Sequence, residues 1–138
     1  MFEHCLYFNT AALARQLEKA WTQAFRPLGL AAPQAFLLRA VLAQPGLSPS
    51  ELARLMVIAK PTVTRCLDGL LAKGLIERGP SGRDGRESVI HPTESARAIQ
   101  AALNKASGGV TERMKRLLGA EGFANAVSSV RDVRTTLD

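Results

Sequence analysis

The sequence predicts a mainly α fold that carries one small β-hairpin and ends in long helices on both sides. Three observations predict it. Apolar residues recur at threes and fours through most of the 138 residues, which is the spacing of one helix face. Proline and glycine punctuate that pattern at Pro33, Pro49, Gly29 and Gly74, where helices start and stop. Between Gly74 and Thr93 the period changes to two short β-branched runs separated by a glycine-rich stretch. Hydrophobic residues make up 46% and charged residues 22% of the chain, a globular balance that excludes a disordered basic tail. The length favours one domain with an ordinary core.

In chain order, Leu6, Leu13, Leu17, Trp21, Ala24 and Leu28 share one helical face. This helix should end near Arg26-Pro27, because the residue before a proline avoids the α region, with Gly29 as terminator. Pro33 opens a second helix in its first turn, where a missing N–H costs nothing. Phe36, Leu37, Ala40 and Val41 are its apolar residues, and Pro45-Gly46 ends it. Ser48-Pro49-Ser50-Glu51 has the form of a capping box, with Ser48 accepting from the Glu51 N–H and the Glu51 carboxylate reaching back to the Ser48 N–H. A short helix follows through Leu52, Leu55 and Met56. The chain breaks and restarts at Ala59-Lys60-Pro61-Thr62, and the next helix carries Val63, Leu67, Leu70 and Leu71 on one face before Lys73-Gly74. Two short helices this close in sequence must cross steeply, which is a helix-turn-helix pattern.

Leu75–Arg78 and Ser88–His91 read as strands, and Gly79-Pro80-Ser81-Gly82-Arg83-Asp84-Gly85-Arg86 reads as the hairpin tip between them. Thr93 caps a helix whose stripe runs Ala96, Ile99, Leu103, Ala106, Val110, Met114, Leu117, interrupted at Gly108-Gly109. A last helix starts near Glu121 and carries Phe123, Val127, Val130, Val133 and Leu137. The central unit, residues 33–91, reads as a small domain with its own core. The stripes of the terminal helices then need another surface, and a second copy of the chain is the simplest one. Folding back onto their own domain is the alternative.

The net charge is +6, and 13 of the 18 basic residues are arginine, the better fork for bases and phosphates. No apolar run approaches the ~20 residues that span a bilayer, and MFEHCLYFNT lacks a basic stretch ahead of an apolar one. A cytoplasmic protein without membrane contact is expected. Cys5 and Cys66 form no framework, and His4 and His91 have no partner at a metal-ligand spacing. Phosphate-cradling glycine loops and nucleophile elbows are missing, and no paired nucleophile and base can be assembled. Neither a cofactor, a metal site nor an enzyme is expected.

The candidate chemistry lies on the helix from Lys60 to Lys73. With its apolar face turned inward, Lys60, Pro61, Thr62, Thr64, Arg65 and Asp68 remain outside. A DNA-reading helix needs this distribution, because its first turns approach base edges and its N-terminus favours phosphate. Arg65 can pair bidentately with guanine, and Thr62 and Thr64 can bond bases or phosphates. Arg78, Arg83 and Arg86 cluster at the hairpin against Asp84 and Glu87, a finger shaped to follow a phosphate backbone or a narrow minor groove. Asp84 repels phosphate and is better suited to hold Arg86 or Arg83 by a charge-assisted bond. Cys66, near the buried face of the reading helix, reads as an inert core thiol.

The helix order, ELARLM…KPTVTRCLDGLLAKGLIER and RDGRESVIHPTESA resemble the multiple antibiotic resistance regulator (MarR) family over nearly the whole chain. The most specific part is Asp84-Gly85-Arg86 followed by Val89 and Pro92-Thr93-Glu94, which resembles the family's Asp-x-Arg wing and the Thr that opens the next helix. The resemblance implies a winged helix-turn-helix with dimerisation helices in residues 1–32 and 93–138 and a DNA-binding lobe in 33–92. It implies a homodimeric transcription regulator, most often a repressor, on a pseudopalindromic operator of double-stranded DNA. Arg86 would be the wing-tip arginine and Asp84 its anchor. The wing loop carries glycine where many members carry charged residues, which loosens the expected grip. The family also implies release by a small aromatic or phenolic effector in a crevice between the dimer helices and the DNA-binding lobe; Trp21, Phe25 and Phe36 are candidates to line it, and Arg15 or Arg39 to meet a ligand carboxylate, with surface solvation the alternative for either arginine. Aromatics at helical spacing ordinarily pack inward, so a core role stays open for each.

Peroxide-sensing members use a cysteine in the first helix, which makes Cys5, beside His4, a redox candidate. Matched to that subgroup, Cys5 falls two residues early, Tyr7 occupies the cysteine's place and Ala32 the place of a tyrosine. A winged-helix interaction module without DNA contact is a further alternative, since fold alone does not fix function.

Overall fold

The structure, a computed structural model, describes residues 1–81 and 87–138. Helix α1 (Leu6–Phe25) runs into a short 3-10 turn (Arg26–Leu28), followed by α2 (Ala32–Ala43), α3 (Pro49–Met56) and α4 (Lys60–Ala72). Strands β1 (Ile76–Gly79) and β2 (Val89–Pro92) form the hairpin, and α5 (Glu94–Leu118) and α6 (Ala120–Thr136) close the chain. The mainly helical class with a small wing is as the sequence predicts.

Local chemistry sets the boundaries. Asn9 donates its amide to the carbonyls of Glu3 and Cys5 at 3.0 and 2.9 Å and ties down the start of α1. Gly29, with φ of 71°, takes the left-handed conformation that turns the chain into α2. Thr22 fixes the corner, because its Oγ1 accepts from the Ala32 N–H at 2.9 Å. Ser48 caps α3 by accepting from the Glu51 N–H at 3.1 Å. The reciprocal bond from the Ser48 N–H to the Glu51 carboxylate is not formed among the described residues, so the expected capping box is half a box. Val57 ends α3 in the left-handed region, with φ of 55° and ψ of 47°. A β-branched residue is costly there.

The strands pair antiparallel with Glu77 opposite His91 and Arg78 opposite Ile90. Leu47 adds an isolated bridge to Ile90: the Ile90 N–H donates to the Leu47 carbonyl and the Gly46 N–H to the Ile90 carbonyl, both at 2.8 Å. The hairpin is thereby stitched to the segment that leads into α3. Thr93 joins the hairpin to α5, since its Oγ1 donates to the Gly74 carbonyl at 2.7 Å and accepts from the Ala96 N–H at 3.3 Å.

Two expectations need correction. Helix α5 is continuous through Gly108 and Gly109. Its flanking turns carry enough i→i−4 bonding to hold both glycines helical. The core is not confined to residues 33–91 either. Phe25 and Leu30 from the first arm and Ala96 and Leu103 from α5 are buried in one cluster with Leu37, Leu38, Leu52, Val63, Leu67, Leu70 and Ile90. The roots of the long helices therefore hold the central lobe, each large side chain contributing about 1.5–3 kcal/mol of burial. No residue of α6 is buried. No helix of the described residues is long and apolar enough to cross a membrane.

Candidate nucleic-acid interface

Helix α4 is held by its inner face and free on its outer face. Val63, Leu67 and Leu70 are 0% exposed, pinned against α2 and α3. A Cβ at Gly69 would fall on the side-chain amide of Gln34, so glycine lets α2 and α4 approach closely. Lys60, Pro61, Thr64, Arg65 and Asp68 are exposed and Thr62 is half-buried. Thr64 donates its hydroxyl to the Lys60 carbonyl at 3.1 Å, which leaves its methyl and lone pairs outward. Arg65 donates from Nη2 to Thr62 Oγ1 at 3.5 Å and otherwise faces solvent. The sequence-predicted reading residues thus lie together on one solvent face.

The hairpin root meets this face. Glu87 Oε1 accepts from the Ser50 N–H at 3.2 Å and Ser50 Oγ at 2.9 Å, and lies 3.2 Å from Lys60 Nζ. Burial works upward on the Glu87 carboxyl, but the bonds from Ser50 and Lys60 outweigh it and hold its pKa below the usual carboxylate value. Arg78 pairs with Asp68 of α4 at 3.4 Å. Arg78 and Glu87, expected to group with the hairpin-tip residues, each have a partner on the helix-turn-helix, Asp68 for Arg78 and Ser50 and Lys60 for Glu87. Arg83, Asp84 and Arg86 lie outside the described residues. Burial pushes the Cys66 thiol up against the opposing charge of Arg65, in keeping with an unreactive thiol. Cys5 is exposed, and its Sγ accepts from the Phe8 N–H at 3.5 Å as the N-cap of α1.

The aromatic candidates divide. Trp21 and Phe36 line an open groove of about 460 Å³ with Leu17, Glu18, Ala32, Pro33, Met56, Ile58 and Thr62. Phe25 does not line it. Phe25 is 0% exposed and packs edge-on against Phe36 at 6.0 Å, a core residue. Arg39 does not line it either, because α5 claims its guanidinium. Its Nε donates to Asn104 Oδ1 at 3.0 Å, its Nη1 donates to Ser107 Oγ at 3.1 Å, and the group sits 5.0 Å above the Phe36 ring. Ser107 also accepts from Trp21 Nε1 at 3.0 Å, so one buried hydroxyl ties α1, α2 and α5 together. Sequence reasoning missed Ser107 and the role of Glu87. Neither sits in a local pattern, and their partners are 86 and 37 positions away.

Two short helices joined by a tight turn, the second offering a polar cationic face beside an antiparallel hairpin, define a winged helix-turn-helix. Residues 28–87 match the sequence model of the MarR family. Its fold is similar over nearly the full length to solved structures. One is S. aureus MepR in a MepR–DNA complex, 20% identical with a TM-score of 0.88, covering 99% of this chain and 100% of that one. Another is the transcriptional repressor CouR bound to a 23-mer DNA duplex, 23% identical with a TM-score of 0.88, covering 96% and 94%. A third is a mutant MarR from E. coli complexed with operator DNA, 21% identical with a TM-score of 0.85, covering 96% and 97%.

Proposed function

We propose that this chain is a sequence-specific, double-stranded DNA-binding transcription regulator, a homodimeric repressor on a pseudopalindromic operator that a small-molecule effector releases. The observation that carries the reading is the outer face of α4, where Lys60, Pro61, Thr62, Thr64 and Arg65 stand on a helix fixed by a fully buried opposite face. Proteins of similar fold have been solved on DNA. In this reading Arg65, Thr62 and Thr64 contact base edges, and Lys60, Arg83 and Arg86 contact phosphates, with Asp84 anchoring the wing arginine.

The terminal helices support a second copy. Leu6, Tyr7, Leu13, Val127, Val130, Val133 and Leu137 are 40–81% exposed and lie on the neighbouring α1 and α6, Leu137 just past the end of α6. Apolar surface of this extent marks an interaction face. A two-fold axis would set two α4 helices into successive major grooves, roughly 34–36 Å apart. The effector reading is supported by the Trp21–Phe36 groove, whose wall includes Met56, Ile58 and Thr62, so that a small aromatic or phenolic ligand bound there would lie against the turn and the first residues of α4.

A salt-controlled titration tests the DNA site. Arg65→Ala weakens binding and relaxes base preference within the site, by about 1–3 kcal/mol at the position it reads. Arg86→Ala weakens binding to all duplexes alike. Wild-type binding by both variants would remove the assignment.

A further inference from the structure

We propose that Glu87 is a positioning residue of the DNA-binding lobe, fastening the root of the hairpin to both helices of the helix-turn-helix and restraining the Lys60 ammonium at the DNA face. The inference rests on the DNA-binding reading and adds a residue that sets its strength. One oxygen, Oε1, takes the Ser50 N–H at 3.2 Å, the Ser50 hydroxyl at 2.9 Å and Lys60 Nζ at 3.2 Å. Ser50 belongs to the first turn of α3, Lys60 opens α4, and Glu87 leads into β2. One carboxylate therefore joins three elements.

Its two roles separate chemically. The bonds from Ser50 need only an acceptor oxygen. The restraint on Lys60 needs the negative charge. The Lys60 and Glu87 side chains are 56% and 33% exposed, so the pair is open to solvent and holds the fold together only weakly. Its consequence falls on binding instead. A lysine already neutralised by a carboxylate releases fewer counterions from DNA than a free one, and each phosphate neutralised contributes about 0.9 to the slope of log K against log salt. That contribution is blind to sequence. Glu87 thus lowers affinity for every duplex while keeping hairpin and reading helix in register.

Glu87→Gln separates the roles, because the amide oxygen can still accept from Ser50. Fluorescence anisotropy titrations across a salt series should use a duplex enriched by the wild-type protein from a random pool and a scrambled duplex. Glu87→Gln should tighten both about fivefold at fixed salt and steepen the slope by about 0.9 per subunit. Glu87→Ala should show the same steeper slope but a smaller gain on the enriched duplex, since the hairpin root is then unfastened. Lys60→Ala should cost about fivefold more in the Glu87→Gln background than in wild type. An unchanged slope in both Glu87 variants, or an equal cost of Lys60→Ala in both backgrounds, would overturn the role of Glu87 while leaving DNA binding intact. Absence of any DNA binding by the wild-type protein would overturn the DNA reading and this inference with it.

Discussion

Ser107 shows how much one side chain can hold. It is 7% exposed and receives hydrogen bonds from Trp21 on α1 and Arg39 on α2. Ser107→Ala leaves an indole N–H and a guanidinium N–H without that acceptor, so it should cost about 1–3 kcal/mol in urea unfolding. At this scale the sequence was only partly legible. Lys60, Thr64 and Arg65 could be placed on the outer face because helix period alone determines facing. Arg39, expected at an effector crevice, does not line the Trp21–Phe36 groove, because its direction depends on Asn104 and Ser107, 65 and 68 positions away. The Glu87 carboxyl is likewise set by distant partners. Its pKa is held down, so its contribution to stability is present above the ordinary glutamate value and is lost as pH falls through the depressed one. Thermal melts of Glu87→Gln should consequently lose less stability than wild type across that acid window.

Element boundaries were the most legible feature, since caps and breakers act within a few residues. Ser48, Thr93, Pro33, Pro49 and Gly29 all work where the sequence places them. The exception is the turn between α3 and α4. Val57 gives no sequence signal for a positive φ, yet it adopts φ of 55° and the residue is 59% exposed. Left-handed backbone costs a residue with a Cβ roughly 1–2 kcal/mol, and glycine escapes that cost at some expense in unfolded-state entropy. Val57→Gly should therefore raise stability by about 0.5–1 kcal/mol, measured as a higher urea midpoint with an unchanged slope. Loss of stability would mean that Val57 contributes packing beyond what its exposure indicates.

Across the molecule, the long stripes were legible as surplus apolar surface, but their division of labour was not. The inner ends of α1 and α5 enter the core through Phe25 and Leu103, whereas α6 buries nothing. Core sharing is a tertiary fact that periodicity cannot supply, because a helix stripe does not state what it faces. If a second copy covers α6, Val130→Glu together with Val133→Glu should yield a folded monomer by sedimentation with unchanged helical circular dichroism. DNA affinity should fall about a hundredfold when two linked lobes become one.

Selection of duplexes from a random pool by the purified protein tests the central claim most directly. Paired subunits displaying two α4 helices should enrich an inverted repeat whose half-sites are centred about one helical turn apart. Enrichment of no sequence, or of a single unrepeated site, would contradict it.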